Sequence, residues 1–373
     1  MEFSVYRQVL IRALGHMQSI VEKRATLPIL MNVKIEVADD LILSATNVDL
    51  ELVEHVSADV TLPGKITVPV QMLYDFVRRL DPDVDEITFK QTGDKLIGTG
   101  GSVVFQLPSL PAENFPVMAG SNLTTKFQMT TGDLAHLINQ TKFAIPTDDV
   151  RYHLGGIYFH ISNDDGSNKL TAVATDAQRM ALCAMEAPAG SAEMPSVILP
   201  RRVIGELSKL LEDANVDDVT VELSDTKARF TVGAATLTSK LVDAQYPNYR
   251  VVIPKGNDKI AILDRKKFLS AVGVVAVANT DKTKSVQLTF GMNNLVVKAS
   301  GQDSAMATQT LDIEYNSDAS FTVTFNVQFL TDVVNQVEGD KIQIEMQDPL
   351  SPTILKSADK DTDALFILMP MRM

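Results

Sequence analysis

With one cysteine in 373 residues, Cys183, the chain cannot form an intramolecular disulfide. It must hold its fold by burial and hydrogen bonding, which suits a reducing cytosol. No apolar run reaches the roughly 20 residues that a membrane helix requires; the longest uncharged stretch of interest, 268–280, is rich in Ala, Val and Gly and ends too soon. Charges at Glu2 and Arg7 interrupt the start of the chain, where a signal peptide would be apolar, so a cytoplasmic protein is expected. The five histidines, at positions 16, 55, 136, 153 and 160, lack the spacing of a zinc site. Neither a phosphate-binding GxxxxGK[ST] run nor a GxSxG nucleophile elbow occurs. Gly98-Thr99-Gly100-Gly101 lies between strand-like runs with no helix following, and reads as a hairpin turn. The paired acids Asp39-Asp40, Asp148-Asp149 and Asp164-Asp165 fall in turn-like stretches, where Asp bonds its own backbone. Cys183 follows an apolar strand and is expected to be buried and inert. No catalytic constellation, metal site or cofactor is expected.

A basic surplus is missing as well. Lys and Arg number 34 against 47 Asp and Glu, a net charge of −13. Proteins that bind DNA gain affinity by neutralising phosphates, so this balance argues against DNA unless the bases are gathered on one surface.

What the chain does have is repetition. A short strand runs into an amphipathic helix three times, at Phe3-Ser4-Val5-Tyr6-Arg7, at Phe127-Gln128-Met129-Thr130-Thr131 and at Ile260-Ala261-Ile262-Leu263-Asp264. In each, the following apolar residues fall three and four apart, as a single buried helix face requires. A second helix recurs in each unit, beginning near Val70, Arg201 and Val327, followed by an acidic or Gly turn and an alternating strand. Leu134 follows Leu10 by 124 positions and Phe268 follows Leu134 by 134, a domain-sized period. Three structurally repeated α+β domains follow, each with two helices and antiparallel sheets, over residues 1–125, 126–254 and 255–373.

The repeated helices give the charge a location. Across windows 5–14, 70–80, 132–142, 201–211, 264–277 and 327–337, eleven bases stand against five acids. The helices thus reverse the sign of the whole chain. Arg78 and Arg79 flank the apolar stripe of Met72, Leu73, Phe76, Val77 and Leu80 and should face solvent. A basic helix layer under an acidic exterior suits a protein that surrounds DNA, touches phosphates weakly and reads no bases.

Several segments resemble the beta subunit of bacterial DNA polymerase III, the bacterial sliding clamp. They are Arg24-Ala25-Thr26-Leu27-Pro28-Ile29-Leu30, Asp149-Val150-Arg151-Tyr152, Ala174-Thr175-Asp176-Ala177-Gln178-Arg179-Met180, Ser239-Lys240-Leu241-Val242-Asp243 with Tyr246-Pro247-Asn248-Tyr249, and Met369-Pro370-Met371-Arg372-Met373. Their order and spacing match that family over essentially the whole chain. The resemblance implies the DNA clamp fold, with a head-to-tail homodimer closing a six-domain ring around double-stranded DNA. It implies a processivity factor without catalysis, which tethers the polymerase III alpha subunit, the clamp loader and other proteins carrying a clamp-binding motif. By analogy the dimer interface lies around Phe105 and Leu107 of one copy and Val277 and Ala278 of the other, although Phe105 and Leu107 equally fit the core side of an alternating strand.

The resemblance also implies one pocket for partner peptides. Carried over by motif, it comprises Leu154, Thr175, Ala177, Gln178, Arg179, Met180, Pro247, Val251, Val252, Thr283, Asn326, Phe329, Leu350, Pro352, Ile367, Leu368, Met369, Pro370, Met371, Arg372 and Met373. Its Leu, Val and Met side chains can adapt to varied apolar anchors, with Arg179 orienting the peptide. DNA contact is expected from Arg24, Arg78, Arg79, Arg151, Tyr152, His153, Arg201 and Arg202. The chain departs from the family's pattern in four places. Ala177-Gln178 stands where Gly-His is common, which removes a group that titrates near neutrality. His153 replaces a common Tyr, and Thr283 and Pro352 occupy variable rim positions. From the residues alone, an acidic cytosolic scaffold without DNA, or an enzyme whose site assembles only in three dimensions, remains open.

Overall fold

The computed structural model describes residues 1–22, 24–118, 122–148, 150–163, 166–279, 284–301, 305–360 and 362–372. Among these the chain forms six α-helices, α1 Arg7–Ile20, α2 Val70–Arg79, α3 Thr131–Thr141, α4 Arg201–Glu212, α5 Arg265–Ala276 and α6 Val327–Gln336. They stand where apolar spacing places them. In α1, Leu10, Ala13, Leu14, Met17 and Ile20 are buried, one face of a 3.6-residue period. The Asp264 carboxylate caps α5 by accepting the Lys267 N–H, and Asn326 caps α6 by accepting those of Gln328 and Phe329. None of the helices is long and apolar enough to cross a membrane.

The described residues divide into two compact units, one of 1–135, 188–195 and 202–241, the other of 136–187, 196–201 and 242–373. Beneath this division lies a threefold repeat of strand order. One kind of four-stranded set recurs as Glu2–Tyr6, Glu86–Thr92, Lys95–Gly100, Val103–Pro108; as Thr125–Thr130, Asp218–Leu223, Lys227–Val232, Ala235–Lys240; and as Lys259–Asp264, Lys341–Met346, Thr353–Ser357, Ala364–Leu368. The other recurs as Leu50–Val56, Leu41–Thr46, Asn32–Val37, Gly64–Pro69; as Arg179–Glu186, Lys169–Thr175, Gly156–Ser162, Val197–Pro200; and as Met306–Asp312, Asn294–Ser300, Ser285–Gly291, Phe321–Asn326. Every pairing is antiparallel. The same backbone bond starts the first helix in each copy: the N–H of Arg7, Thr131 and Arg265 donates to the carbonyl of Asp85, Asp217 and Asp340, at 2.7, 2.8 and 2.8 Å.

Sets of opposite kind join end to end. In the first unit Ala235–Lys240 pairs with Leu50–Val56, Ser239 opposite Leu50, to give an eight-stranded sheet. In the second, Ala364–Leu368 pairs with Arg179–Glu186, Leu368 opposite Arg179, in a nine-stranded sheet. Each seam carries polar ties besides its ladder. In the first, the His16 ring donates to Glu54 at 2.9 Å and to Asp213 at 3.1 Å, Arg202 donates to the Ile20 carbonyl at 2.6 Å, and Lys240 pairs with Asp49 at 2.7 Å. Arg12 and Ser19 add bonds to the Asp213 carbonyl and the Glu206 carboxylate. In the second, Lys169 pairs with Asp363 at 3.0 Å, Gln140 and His136 approach Glu338 at 3.4 Å, and Arg179 pairs with Asp332. Two strands of the repeat find no such mate: Val103–Pro108 and Met306–Asp312 are sheet edges.

The structure revises the charge count in one respect. Over the observed helices the bases number ten and the acids five, so their excess persists. Arg7, however, is not on the surface. It is buried, and its guanidinium donates to the carbonyls of Val77, Arg78 and Leu80 at 3.0–3.1 Å, closing the C-terminal end of α2. Arg265 in part repeats the role, donating to the Gly339 carbonyl at 2.9 Å. Gly98 and Gly100 also differ from expectation, since they belong to the strand Lys95–Gly100. There a Cβ on Gly98 would fall 2.3 Å from the Phe105 ring, so the glycine makes room for that ring.

Two outcomes follow. Arg7→Ala strands three carbonyls, and should cost about 3 kcal/mol in chemical denaturation; a loss below about 1 kcal/mol would return Arg7 to the surface bases. For His16, burial alone would depress the pKa, but the hydrogen bonds and charges of Glu54 and Asp213 outweigh it and raise the pKa above 6.5. The stability it contributes is therefore full below pH 6.5 and lost as pH rises through the elevated folded value. His16→Gln should flatten that decline in a stability–pH series; parallel wild-type and variant curves would contradict a charged His16.

Candidate functional site

The turn between the strands Lys169–Thr175 and Arg179–Glu186 organises the expected pocket. The Thr175 hydroxyl donates to the Arg179 carbonyl at 2.8 Å and accepts the Ala177 N–H at 3.1 Å, while Asp176 accepts those of Gln178 and Arg179 at 2.9 and 3.0 Å. This winding drives Ala177 to φ +72°. A Cβ is disfavoured there by about 1 kcal/mol, which is the physical reason a glycine suits that position and an alanine is a departure. The first domain builds the same turn at 46–50: Thr46 donates to the Leu50 carbonyl at 2.9 Å, Asn47 accepts from Asp49 and Leu50, and Val48 sits at φ +79°. What distinguishes the second copy is its closing residue, Arg179 in place of Leu50.

Arg179 is almost fully engaged. Its Nε donates to Asp176 at 3.1 Å, one terminal nitrogen bonds Asp332, the other donates to the Phe143 carbonyl at 2.9 Å, and its plane lies over the rings of Phe143 and Phe329 at 5.1 and 4.7 Å. Two carboxylates, a carbonyl and two rings leave little of it for a visiting peptide. These bonds fix Arg179 as part of a wall beside the turn. Asn326 is likewise committed, as the cap of α6.

Behind the turn, Leu154, Met180 and Ile367 belong to one buried cluster with Val173, Ile198, Tyr246 and Tyr249. Tyr158 stacks on Tyr246 with centroids 4.6 Å apart, and His160 Nε2 lies 2.9 Å from the Tyr249 hydroxyl. Burial pushes the Tyr246 hydroxyl's pKa up. Leu368 is buried in its ladder, and beyond it Met369, Pro370 and Met371 are half-buried and Arg372 exposed. That segment is pinned on both sides, the Met369 N–H donating to the Gln178 carbonyl at 2.9 Å and the Met371 N–H to Thr324 at 2.8 Å. Pro247, Val251 and Val252 are exposed beside the cluster, and Phe329 is half-buried under Arg179. Leu350 and Pro352 lie on the turn before Thr353, the residue paired with Leu368, at the margin of the set. Thr283 and Met373 lie outside the described residues. Sequence reading gave no place in this set to Phe143, Asp332, Tyr158 or His160, and quoted Asp176, Tyr246 and Tyr249 only as parts of motifs.

The expected DNA-contacting residues are not equally available. Arg24, Arg78 and Arg79 are exposed. Arg78 rests over the Tyr74 ring and 3.4 Å from Asp75. Arg151 donates to the Asp176 carbonyl at 2.6 Å and to Asp148 at 2.8 Å, and that second bond raises its pKa. Arg201 donates to the Pro146 carbonyl at 3.3 Å and Arg202, as above, to Ile20. Tyr152 is exposed, with His153 edge-on to it. The expected interface residues divide differently. Phe105 is buried, stacked on Phe76 at 4.6 Å and edge-on to Phe89, and Leu107 is buried with it. Both side chains serve the core, because on this alternating strand it is Val104 and Gln106 that face out. Val277 is exposed and Ala278 partly so. Cys183 is buried, its thiol pushed up to about 12 by desolvation.

Comparison with known proteins places these features in one family. Residues 1–119, 128–248 and 250–372 match the models of the N-terminal, central and C-terminal domains of the DNA polymerase III beta subunit. The beta sliding clamp of Caulobacter vibrioides is 39% identical over 375 residues and that of Escherichia coli K12 is 32% identical over 376, each covering the whole of both chains. The structure superposes on the sliding clamp of Bartonella birtlesii solved with griselimycin at TM-score 0.95 and 38% identity over the whole of both chains. It superposes on the Caulobacter crescentus beta sliding clamp at TM-score 0.96 and 38% identity, over all of this chain and 99% of that one. With three repeated α+β domains matched end to end, the chain belongs to the DNA polymerase III beta subunit family, the bacterial beta sliding clamps.

Proposed function

We propose that the chain is a working sliding clamp: two copies join head to tail into a six-domain ring around duplex DNA and tether the replicative polymerase without catalysing a reaction. One observation carries this reading. Two seams within the chain join the same two kinds of strand set, and the copy leaves one unmated strand of each kind, Val103–Pro108 and Met306–Asp312. A second copy supplies the missing mate for both. Because the joined surfaces differ, the contact is heterologous, and a finite assembly needs a rotation that closes. Exposed edges left unpaired would otherwise invite uncontrolled pairing.

The excess of bases on the helices supports DNA as the encircled polymer, with Arg24, Arg78 and Arg79 the most available of the candidates and Arg151, Arg201 and Arg202 offering what their carbonyl bonds leave over. Contacts of that kind are diffuse and sequence-independent, so no position along the duplex traps the ring. The pocket at the second seam is the proposed dock for peptides from the polymerase alpha subunit, the clamp loader and other clamp-binding proteins. Its apolar floor of Leu154, Met180 and Ile367 takes the peptide's anchors, and Met369, Pro370 and Met371 form the rim. Domain boundaries near residues 125 and 254 accompany this reading.

Loaded on a nicked circle by a clamp loader with ATP, the protein should stay with the circle and leave once the circle is cut. Failure to load, or retention on linear DNA with free ends, would sink the ring. Deletion of 369–373 should cut polymerase binding by more than about tenfold while the dimer persists. Arg179→Ala, which frees Asp332 and the Phe143 carbonyl, should weaken the same binding through a loosened wall. Unchanged binding in both variants would remove the pocket from this site.

A further inference from the structure

We propose that the joint between two copies is held by apolar side chains and lacks polar ties that close both joints within the chain, with Pro108 as the residue that leaves the gap. The proposal rests on the ring reading above. At the within-chain seams the N–H of Lys240 donates to the Asp49 carbonyl and that of Met369 to the Gln178 carbonyl, both at 2.9 Å. The position that corresponds in the first domain is set by a neighbouring bond. The Leu241 N–H turns back to Thr226 and the Ser109 N–H turns back to Asp94, at 2.9 and 3.0 Å, so Ser109 stands where Leu241 stands and Pro108 where Lys240 does. Proline has no N–H to give. The Lys240–Asp49 ion pair disappears with it.

The helices repeat the contrast. Counted from the first residue of the first helix, positions five and nine further on are Arg12 and His16 in α1, and His136 and Gln140 in α3. Each pair meets an acidic residue beyond the second helix of the adjoining domain, Asp213 in one case and Glu338 in the other. In α5 the same positions are Ser270 and Val274. Glu206 and Asp332, five residues into α4 and α6, accept bonds across their seams besides those from Lys209 and Gln328 of their own helices; Asp75, at the same place in α2, has the own-helix bonds from Gln71 and Arg78. Beside the uncharged Ser270, Thr308 and Gln106, large apolar side chains are exposed: Val274, Val277 and Met306 are 58, 83 and 63% exposed on one side, and Val104 is 67% exposed on the other.

The register follows from the closing turns. The N–H groups of Asn47, Asp176 and Gly301 donate to the carbonyls of Leu50, Arg179 and Ala305, which makes these three equivalent. Since Leu50 faces Ser239 and Arg179 faces Leu368, Ala305 of one copy faces Leu107 of the other, and Thr308 faces Val104. In that register exposed Val104 and Gln106 meet exposed Thr308 and Met306, whereas Phe105 and Leu107, whose side chains are buried in their own domain, meet Ala307 and Ala305 through the backbone.

Dilution of the full-length chain, followed by mass photometry and sedimentation, tests this. The wild-type dimer should dissociate with a constant that moves less than about twofold between roughly 0.1 and 1 M salt, since among the described residues the positions equivalent to Lys240 and to Arg12 and His16 carry no charge. Pro108→Ala, which restores one donor, should tighten it by about fivefold, and Val277→Asp should weaken it by about a hundredfold. A wild-type chain that is monomeric at every concentration overturns the ring reading itself. A dimer that salt loosens more than about tenfold, or that Pro108→Ala leaves no tighter while melting at the wild-type temperature, overturns the apolar joint and leaves the ring standing. Should Pro108→Ala misfold, the salt series on the wild-type protein decides alone.

Discussion

A strand at the rim of a sheet presents a row of unpaired N–H and C=O groups, and each of these domains ends in such a strand on both sides. Within the chain the next domain covers them, through Ser239 opposite Leu50 and Leu368 opposite Arg179. The rest of the architecture answers to that pairing. Helix α1 sits where His16 can meet an acid from the adjoining domain, α6 places Asp332 against Arg179, and the strand Val103–Pro108 packs Phe105 and Leu107 inward while its in-plane edge stays unpaired. The seam is thus the unit of construction as much as the domain is.

Seams also explain where a pocket can arise. The turns at 46–50 and 175–179 share their hydrogen bonds and their left-handed residue, so both seams begin from one scaffold. Exchanging Leu50 for Arg179 recruits Asp332, Phe143 and Phe329 into a rigid wall. A partly buried guanidinium paired with two carboxylates is weak evidence for stability in itself. Its value here is geometric, since it holds two aromatic rings and the start of a strand in fixed relation beside the apolar floor.

Much of this was legible in the residues. Apolar spacing located all six helices, and the recurrence of strand and helix at domain-sized intervals announced three copies. Motif likeness singled out Thr175, Arg179 and the Met-Pro-Met segment, which backbone and side-chain bonds bring together at the second seam. Burial of charge was not legible: Arg7 reads as a surface base because its partners are the carbonyls of α2, about 70 residues away and invisible to any local pattern. The same holds for Arg179, whose partner Asp332 lies 153 residues on. Phe105 and Leu107 fit two roles in the sequence, and the fold shows that their side chains are buried while their strand is a sheet edge. Seam register is the least local property of all, fixed by turns whose equivalence appears only once their hydrogen bonds are seen.

The central claim is that a third seam, between copies, repeats the two within the chain. It is tested most directly by a cysteine pair at Val104 and Thr308, introduced together into the chain whose own Cys183 is buried. Antiparallel neighbours in register bring two Cα atoms within the span of a disulfide. Oxidation should yield a covalent dimer closed at both joints, which remains on circular DNA after denaturation. Absence of the cross-link, or its appearance only when the second cysteine is moved off Thr308, would contradict the account.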